Sequence, residues 1–144
     1  MLIRHYTRPH WVKSILRDGY IDLEAQNFGA MEPDMRDYSR YITEVKGDQV
    51  WFTSERHCNT ANELFKDEWK DYYFEFDTED IDVQKWHYFK KTLTHPKAEE
   101  VVGGLDRAAK KEGDDPYCYW VSEKPVPIAK AKKTGILAPD FEVK

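Results

Sequence analysis

The residues best suited to chemistry stand at the start of the chain. His5 and Thr7 lie two apart in Leu2-Ile3-Arg4-His5-Tyr6-Thr7. In a strand that spacing projects both from one face, with Leu2, Arg4 and Tyr6 on the other. The following segment carries helix signals. Thr7 suits the N-cap, Pro9 a site needing no backbone N–H, Trp11/Ile15 and Val12/Leu16 an apolar stripe, and Gly19 a left-handed stop. An imidazole and a hydroxyl at a strand end, beside a helix N-terminus, can grip an anionic or ribose-bearing ligand. The competing reading is a histidine kept for a structural hydrogen bond.

Two later segments end in polar groups of the same kind. Gln49-Val50-Trp51-Phe52-Thr53-Ser54 has the β-branched and aromatic content of a central strand and closes on two hydroxyls. Tyr117-Cys118-Tyr119-Trp120-Val121-Ser122-Glu123 is a third strong strand, stopped by Pro125 and Pro127, and closes on a hydroxyl and a carboxylate. Trp51 and Phe52 serve a core as readily as a ligand stack. Glu123 serves a solvated strand end as readily as a catalytic site.

Positioning these groups requires the elements between them. Tyr20–Leu23 is expected to be extended, Asn27–Ala30 a loop, and Pro33–Val45 a helix with Met35, Tyr38, Ile42 and Val45 on one face, ended by Gly47-Asp48. Asn59-Thr60 can cap a helix carrying Ala61, Leu64, Phe65 and Trp69. Tyr72, Phe74 and Phe76 alternate with Tyr73, Glu75 and Asp77 as a strand. Residues 80–92 read as either extended chain or a short helix. Thr94-His95-Pro96 opens a helix through Ala109, weakened by Gly103-Gly104 and closed near Gly113. From Ile128 the lysine-bearing tail suits a last edge strand. Few helices unevenly interleaved with short strands give an α+β class, in one domain over residues 1–144.

Composition narrows the function. The chain has 144 residues, five Trp, nine Tyr and seven Phe, so its core and any pocket should be ring-lined. A net charge of −5 argues against an extended nucleic-acid surface while leaving room for a local basic patch. No apolar run reaches membrane-spanning length, and Met1-Leu2-Ile3-Arg4 is not a secretory signal start. Cys58 and Cys118 lack metal-ligand spacing, so reduced thiols and a cytoplasmic location are expected. No metal is expected, since no HExxH-type pair occurs and the acidic run from Asp77 to Asp82 reads as a solvated turn. His57 and Cys58 are adjacent and point apart, which rules them out as a nucleophilic dyad by themselves.

His5-Tyr6-Thr7, Val50-Trp51-Phe52-Thr53-Ser54 and Tyr119-Trp120-Val121-Ser122-Glu123 together resemble the three motifs of the ADP-ribosyltransferase-like superfamily, and more narrowly small bacterial and phage proteins of that fold. The resemblance implies a split β-sheet with short flanking helices and NAD as substrate. It implies that His5 and Thr7 hold NAD, His5 through a ribose hydroxyl, and that Trp51, Thr53 and Ser54 lie on the nicotinamide side. Glu123 would orient the ribose and stabilise its oxocarbenium-like transition state, making Glu123 and His5 the catalytic pair. Glu75 and Asp77 are the reserve acids, and Tyr38 or Tyr41 would supply the family's stacking tyrosine. Tyr6 departs from the glycine that larger members carry. The expected activity is transfer of ADP-ribose to an unknown macromolecular acceptor, or NAD hydrolysis. The alternatives are a non-catalytic nucleotide- or protein-binding module, and RNA 2′-phosphate removal, for which Arg4-His5 offers the Arg–His pair within the motifs.

Overall fold

β1 (Leu2–Thr7) is the strand against which the remaining architecture is laid. In the computed structural model, which describes residues 1–7, 9–23, 33–56, 71–138 and 141–143, it lies inside a seven-stranded sheet. The sheet's other strands are β3 (Val50–Thr53), β4 (Asp71–Asp77), β5 (Gln84–Lys85), β6 (Tyr119–Ser122), β8 (Lys133–Ala138) and β9 (Phe141–Val143). Their order is β5-β6-β3-β1-β4-β8-β9. Every pairing is antiparallel. β2 (Tyr20–Ile21) and β7 (Val126–Pro127) form a separate two-stranded ribbon.

The sheet is held unevenly. β1 pairs with β4 over six positions, from Leu2↔Asp77 to Thr7↔Tyr72, and β3 pairs with β6 over four. Between β1 and β3 the register reduces to one pair, Arg4↔Thr53. Two well-laddered halves, β5-β6-β3 and β1-β4-β8-β9, therefore meet along a narrow seam.

Register also fixes the faces, because partners directly opposite in an antiparallel pair share one. Ile3, Phe52, Phe74 and Phe76 lie on the His5 face and join Ile15, Ile21, Val50 and Val126 in one core. That core is closed by α1 (Pro9–Asp18) and the β2/β7 ribbon. On the other face Trp86, Phe89 and Val121 pack with Trp51 and Tyr119. There α3 (Trp86–Phe89) and α4 (Ala98–Lys111) cover the sheet, and Val101 of α4 meets Ile42 and Val45 of α2 (Pro33–Lys46).

The class is α+β, and several local expectations hold with adjusted ends. Helix α1 starts at Pro9 and ends before Gly19, whose φ of 81° is the left-handed turn that β2 needs. The ambiguous 80–92 stretch resolves into β5, α3 and a 3-10 turn over Lys90–Thr92. Helix α4 runs unbroken through Gly103-Gly104, with the Arg107 guanidinium lying over Gly103. The tail differs from expectation. Ile128–Lys130 is a 3-10 turn, and β8 is covered on both sides, by β4 and by β9. The helix expected after Asn59-Thr60 and the 27–30 loop lie outside the described residues.

Candidate functional site

At the seam, His5 performs a backbone amide's task. Its Nδ1 stands 2.8 Å from the Trp51 carbonyl oxygen, and because a carbonyl only accepts, Nδ1 carries the proton. The imidazole straps β1 to β3 beside their one ladder pair. Burial holds the ring's pKa below the usual histidine value, opposed by the Trp51 bond, so the ring is neutral at neutral pH. Nε2 is then an acceptor with no partner among the described residues. The ring edge meets Phe52 at 5.9 Å, which fixes its plane.

His5 and Thr7 open into a cleft of roughly 290 Å³ between this sheet face, α1 and β2. Trp11 and Ile15 of α1 form one wall, Tyr20 and Asp22 the rim beyond Gly19, and Gln49 and Val50 the floor toward β3. Thr7 is buried, and its hydroxyl has no partner among the described residues. Gln49 is occupied, its amide and carbonyl both engaged by Lys46. Arg17 is the only Lys or Arg lining the cleft among the described residues, and Asp18 holds its Nε at 2.9 Å. The cleft thus offers an imidazole acceptor, the Thr7 and Ser14 hydroxyls and aromatic rings, with one arginine set against two aspartates. Such a set suits a hydroxyl-rich, ring-bearing ligand better than a bare phosphate.

The other sequence candidates separate from this pair. Partnership of Arg4 with Thr53 puts the odd-numbered residues of β3 on the even-numbered face of β1. The Trp51 ring therefore lies opposite the His5 cleft, 4.8 Å from Trp86 and 5.8 Å from Tyr119, and only its carbonyl faces His5. Thr53 is buried, its hydroxyl accepting the Glu55 N–H. Ser54 bonds the Cys118 carbonyl through its N–H and, at 3.4 Å, its hydroxyl. Of these three, Trp51 is among the residues that line the cleft with His5 and Thr7, and Thr53 and Ser54 are not. Tyr38 and Tyr41 stand exposed on α2.

Among the acids, Glu123 is exposed, one residue past β6, and lines no part of the cleft. Its neighbour Ser122 is buried on the His5 face opposite Val50, with its hydroxyl donating to the Lys124 carbonyl at 2.8 Å. Glu75 is buried on the opposite face, where Oε1 accepts from Arg4 Nε at 3.0 Å and stands 3.7 Å from Arg56. Arg4 also stacks over Tyr73 at 4.0 Å. The pair Arg4-His5 is thus split between two faces. Asp77 faces the terminal ammonium at 3.4 Å.

Sequence reasoning missed Trp11, Tyr20 and Asp22 as cleft residues. The available signal was Gly19, whose turn folds the 20–22 segment back over the strand end. Among the described residues no three His, Cys, Asp or Glu side chains converge as a metal site, and no helix is long and apolar enough to cross a membrane. The Cys118 thiol is half-buried, and its burial raises its pKa. No family model, curated protein or solved structure matches the chain.

Proposed function

We propose that this chain is an ADP-ribosyltransferase-like protein that takes the ribose end of NAD in the cleft beside His5. The observation that carries the reading is the state of His5 itself. With Nδ1 given to the Trp51 carbonyl, Nε2 is a fixed acceptor facing a cleft that Thr7 also lines, and a ribose hydroxyl is the donor it fits. The two-half sheet, with two of the three motif-bearing strands meeting at its narrow seam, is compatible with the split sheet that the resemblance implies. A cleft of roughly 290 Å³ holds a nucleoside-sized part of NAD, the remainder lying along its open side. Trp11 and Tyr20 offer ring faces to the base.

Cleavage of the nicotinamide bond needs a carboxylate at the developing positive charge, and Glu123 is the assigned acid. Glu123 is exposed and outside the cleft lining, which favours a second reading, a nucleotide-binding module without catalysis. Two measurements separate these readings. Calorimetric titration with NAD and ADP-ribose tests binding, with His5→Asn losing affinity. Nicotinamide release tests catalysis, with Glu123→Gln slowing it by about 10²-fold while binding stays intact. Binding without release supports the module, and absence of binding ends both readings.

A further inference from the structure

Away from the cleft, α3 sorts its residues by depth. Trp86 and Phe89 turn into the core, and His87 and Tyr88 are left toward solvent between Lys85, Lys90 and Lys91. Tyr117, from the 3-10 turn before β6, stands beside them. Tyr88 and Tyr117 are each 58% exposed, although both are large rings. His87 lies between them, 5.4 Å from Tyr88 and 4.6 Å from Tyr117. Ammonium groups rim the rings, with Lys85 Nζ 5.9 Å from Tyr88 and Lys90 Nζ 5.7 Å from Tyr117.

Asp106 of α4 faces the lysines and is already engaged, by Trp86 Nε1 and Lys90 Nζ, both at 2.8 Å, and Asp115 beside Tyr117 accepts the Tyr117 N–H at 3.0 Å. Lys85 and Lys91 form no ion pair among the described residues. Two such cations and one exposed ring within seven residues of chain, with Tyr117 as a second exposed ring, stand on a molecule of net charge −5. We propose that this ridge, Lys85–Lys91 with Tyr117, binds single-stranded nucleic acid, its bases stacking on Tyr88 and Tyr117 and its phosphates meeting Lys85 and Lys91.

The occupant follows from the pairing of groups. Exposed rings interleaved with ammonium groups match a polymer that alternates flat bases with anions. A duplex keeps its bases stacked on each other and would meet too few cations here for backbone binding alone. A bilayer would call on exposed aliphatic or indole groups, and Trp86 and Phe89 point inward.

His87 supplies a second readout. Its Nδ1 is buried without a partner, and its Nε2 stands 3.5 Å from Lys91 Nζ, an obligatory donor. Burial, then Lys91, Lys90 and Lys85, hold its pKa below the usual value, and Asp106 acts in the opposite direction. A phosphate among those lysines offsets their repulsion, so binding takes up a proton and strengthens as pH falls below neutrality.

The test is fluorescence anisotropy with a labelled single-stranded oligonucleotide of about a dozen nucleotides, its duplex, and phosphatidylserine vesicles. The expected result is binding of the single strand with a log–log salt slope of about −1.5, for two phosphates. Tyr88→Ala and Tyr117→Ala each weaken it about tenfold, and Lys85→Gln with Lys91→Gln removes it. Melting curves confirm that these exposed substitutions fold. His5→Ala leaves oligonucleotide binding unchanged, so this result and the NAD reading stand or fall separately. Absence of binding at low salt, wild-type affinity in the tyrosine variants, equal affinity for duplex, or capture by vesicles in place of the oligonucleotide each overturns the proposal.

Discussion

His5 carries two tasks on one ring, and conservative substitution can divide them. Asparagine places an N–H donor near the position of Nδ1 and has no counterpart of Nε2, so His5→Asn should keep the strap to the Trp51 carbonyl while removing the acceptor in the cleft. His5→Ala removes both and takes this bond from the Trp51 carbonyl, at a cost of about 0.5–1.5 kcal/mol in stability. Thermal melts with ribose-ligand titrations check this. His5→Asn should melt close to wild type and bind weakly, and equal destabilisation by the two variants would deny the strap. The ring's lowered pKa gives a pH signature as well. Below about pH 6.5 the unfolded chain takes up a proton that the folded site resists, so stability falls with acidification until the folded-state pKa is passed. His5→Asn should remove this part of the slope, and His87, also lowered, should leave the remainder.

At the scale of elements, what was legible depended on whether information was local. The alternation of His5 and Thr7 against Arg4 and Tyr6 is a property of one strand, and so is the Pro9 start and Gly19 stop of α1. Whether Thr53 or Phe52 shares the His5 face is a property of register between strands far apart in sequence. Opposing Arg4 to Thr53 rather than to Phe52 exchanges the whole set. Similarly, β1 alone cannot show that its ladder to β3 is one pair long. The sequence therefore supported His5 and Thr7 as a pair, while only the register shows that the Thr53 side chain lies on the Arg4 face. Gly19 yields a test of the element that shapes the cleft rim. A Cβ there meets nothing within 4 Å, so Gly19→Ala suffers only the strain of φ 81°. About 1 kcal/mol is expected, a fall of roughly 3 °C in Tm, with weaker ribose-ligand binding as the Tyr20 turn loosens. A loss several times larger by calorimetry would mean that the turn is packed rather than merely bent.

On the scale of the whole molecule, each face of the sheet has its own covering. α1 and the β2/β7 ribbon close the His5 side, and α3 and α4 close the Trp51 side. The halves meet at the seam with one ladder pair and the imidazole between them. Hydrogen exchange should therefore be asymmetric about β1. Amides shared with β4 should be well protected, and seam-facing amides of β1 and β3 should exchange faster. Equal protection on both sides would refute the two-half description.

The His5 strap also makes the cleft a polarity selector. Protonation leaves Nδ1 donating to the Trp51 carbonyl, so the seam keeps its bridge, but it turns Nε2 from an acceptor into a charged donor. Without any rearrangement of the backbone, the same pocket exchanges a preference for hydroxyl donors for a preference for anions. If the cleft takes a ribose-bearing ligand as proposed, acidity would change which ligand it prefers and leave its backbone frame in place.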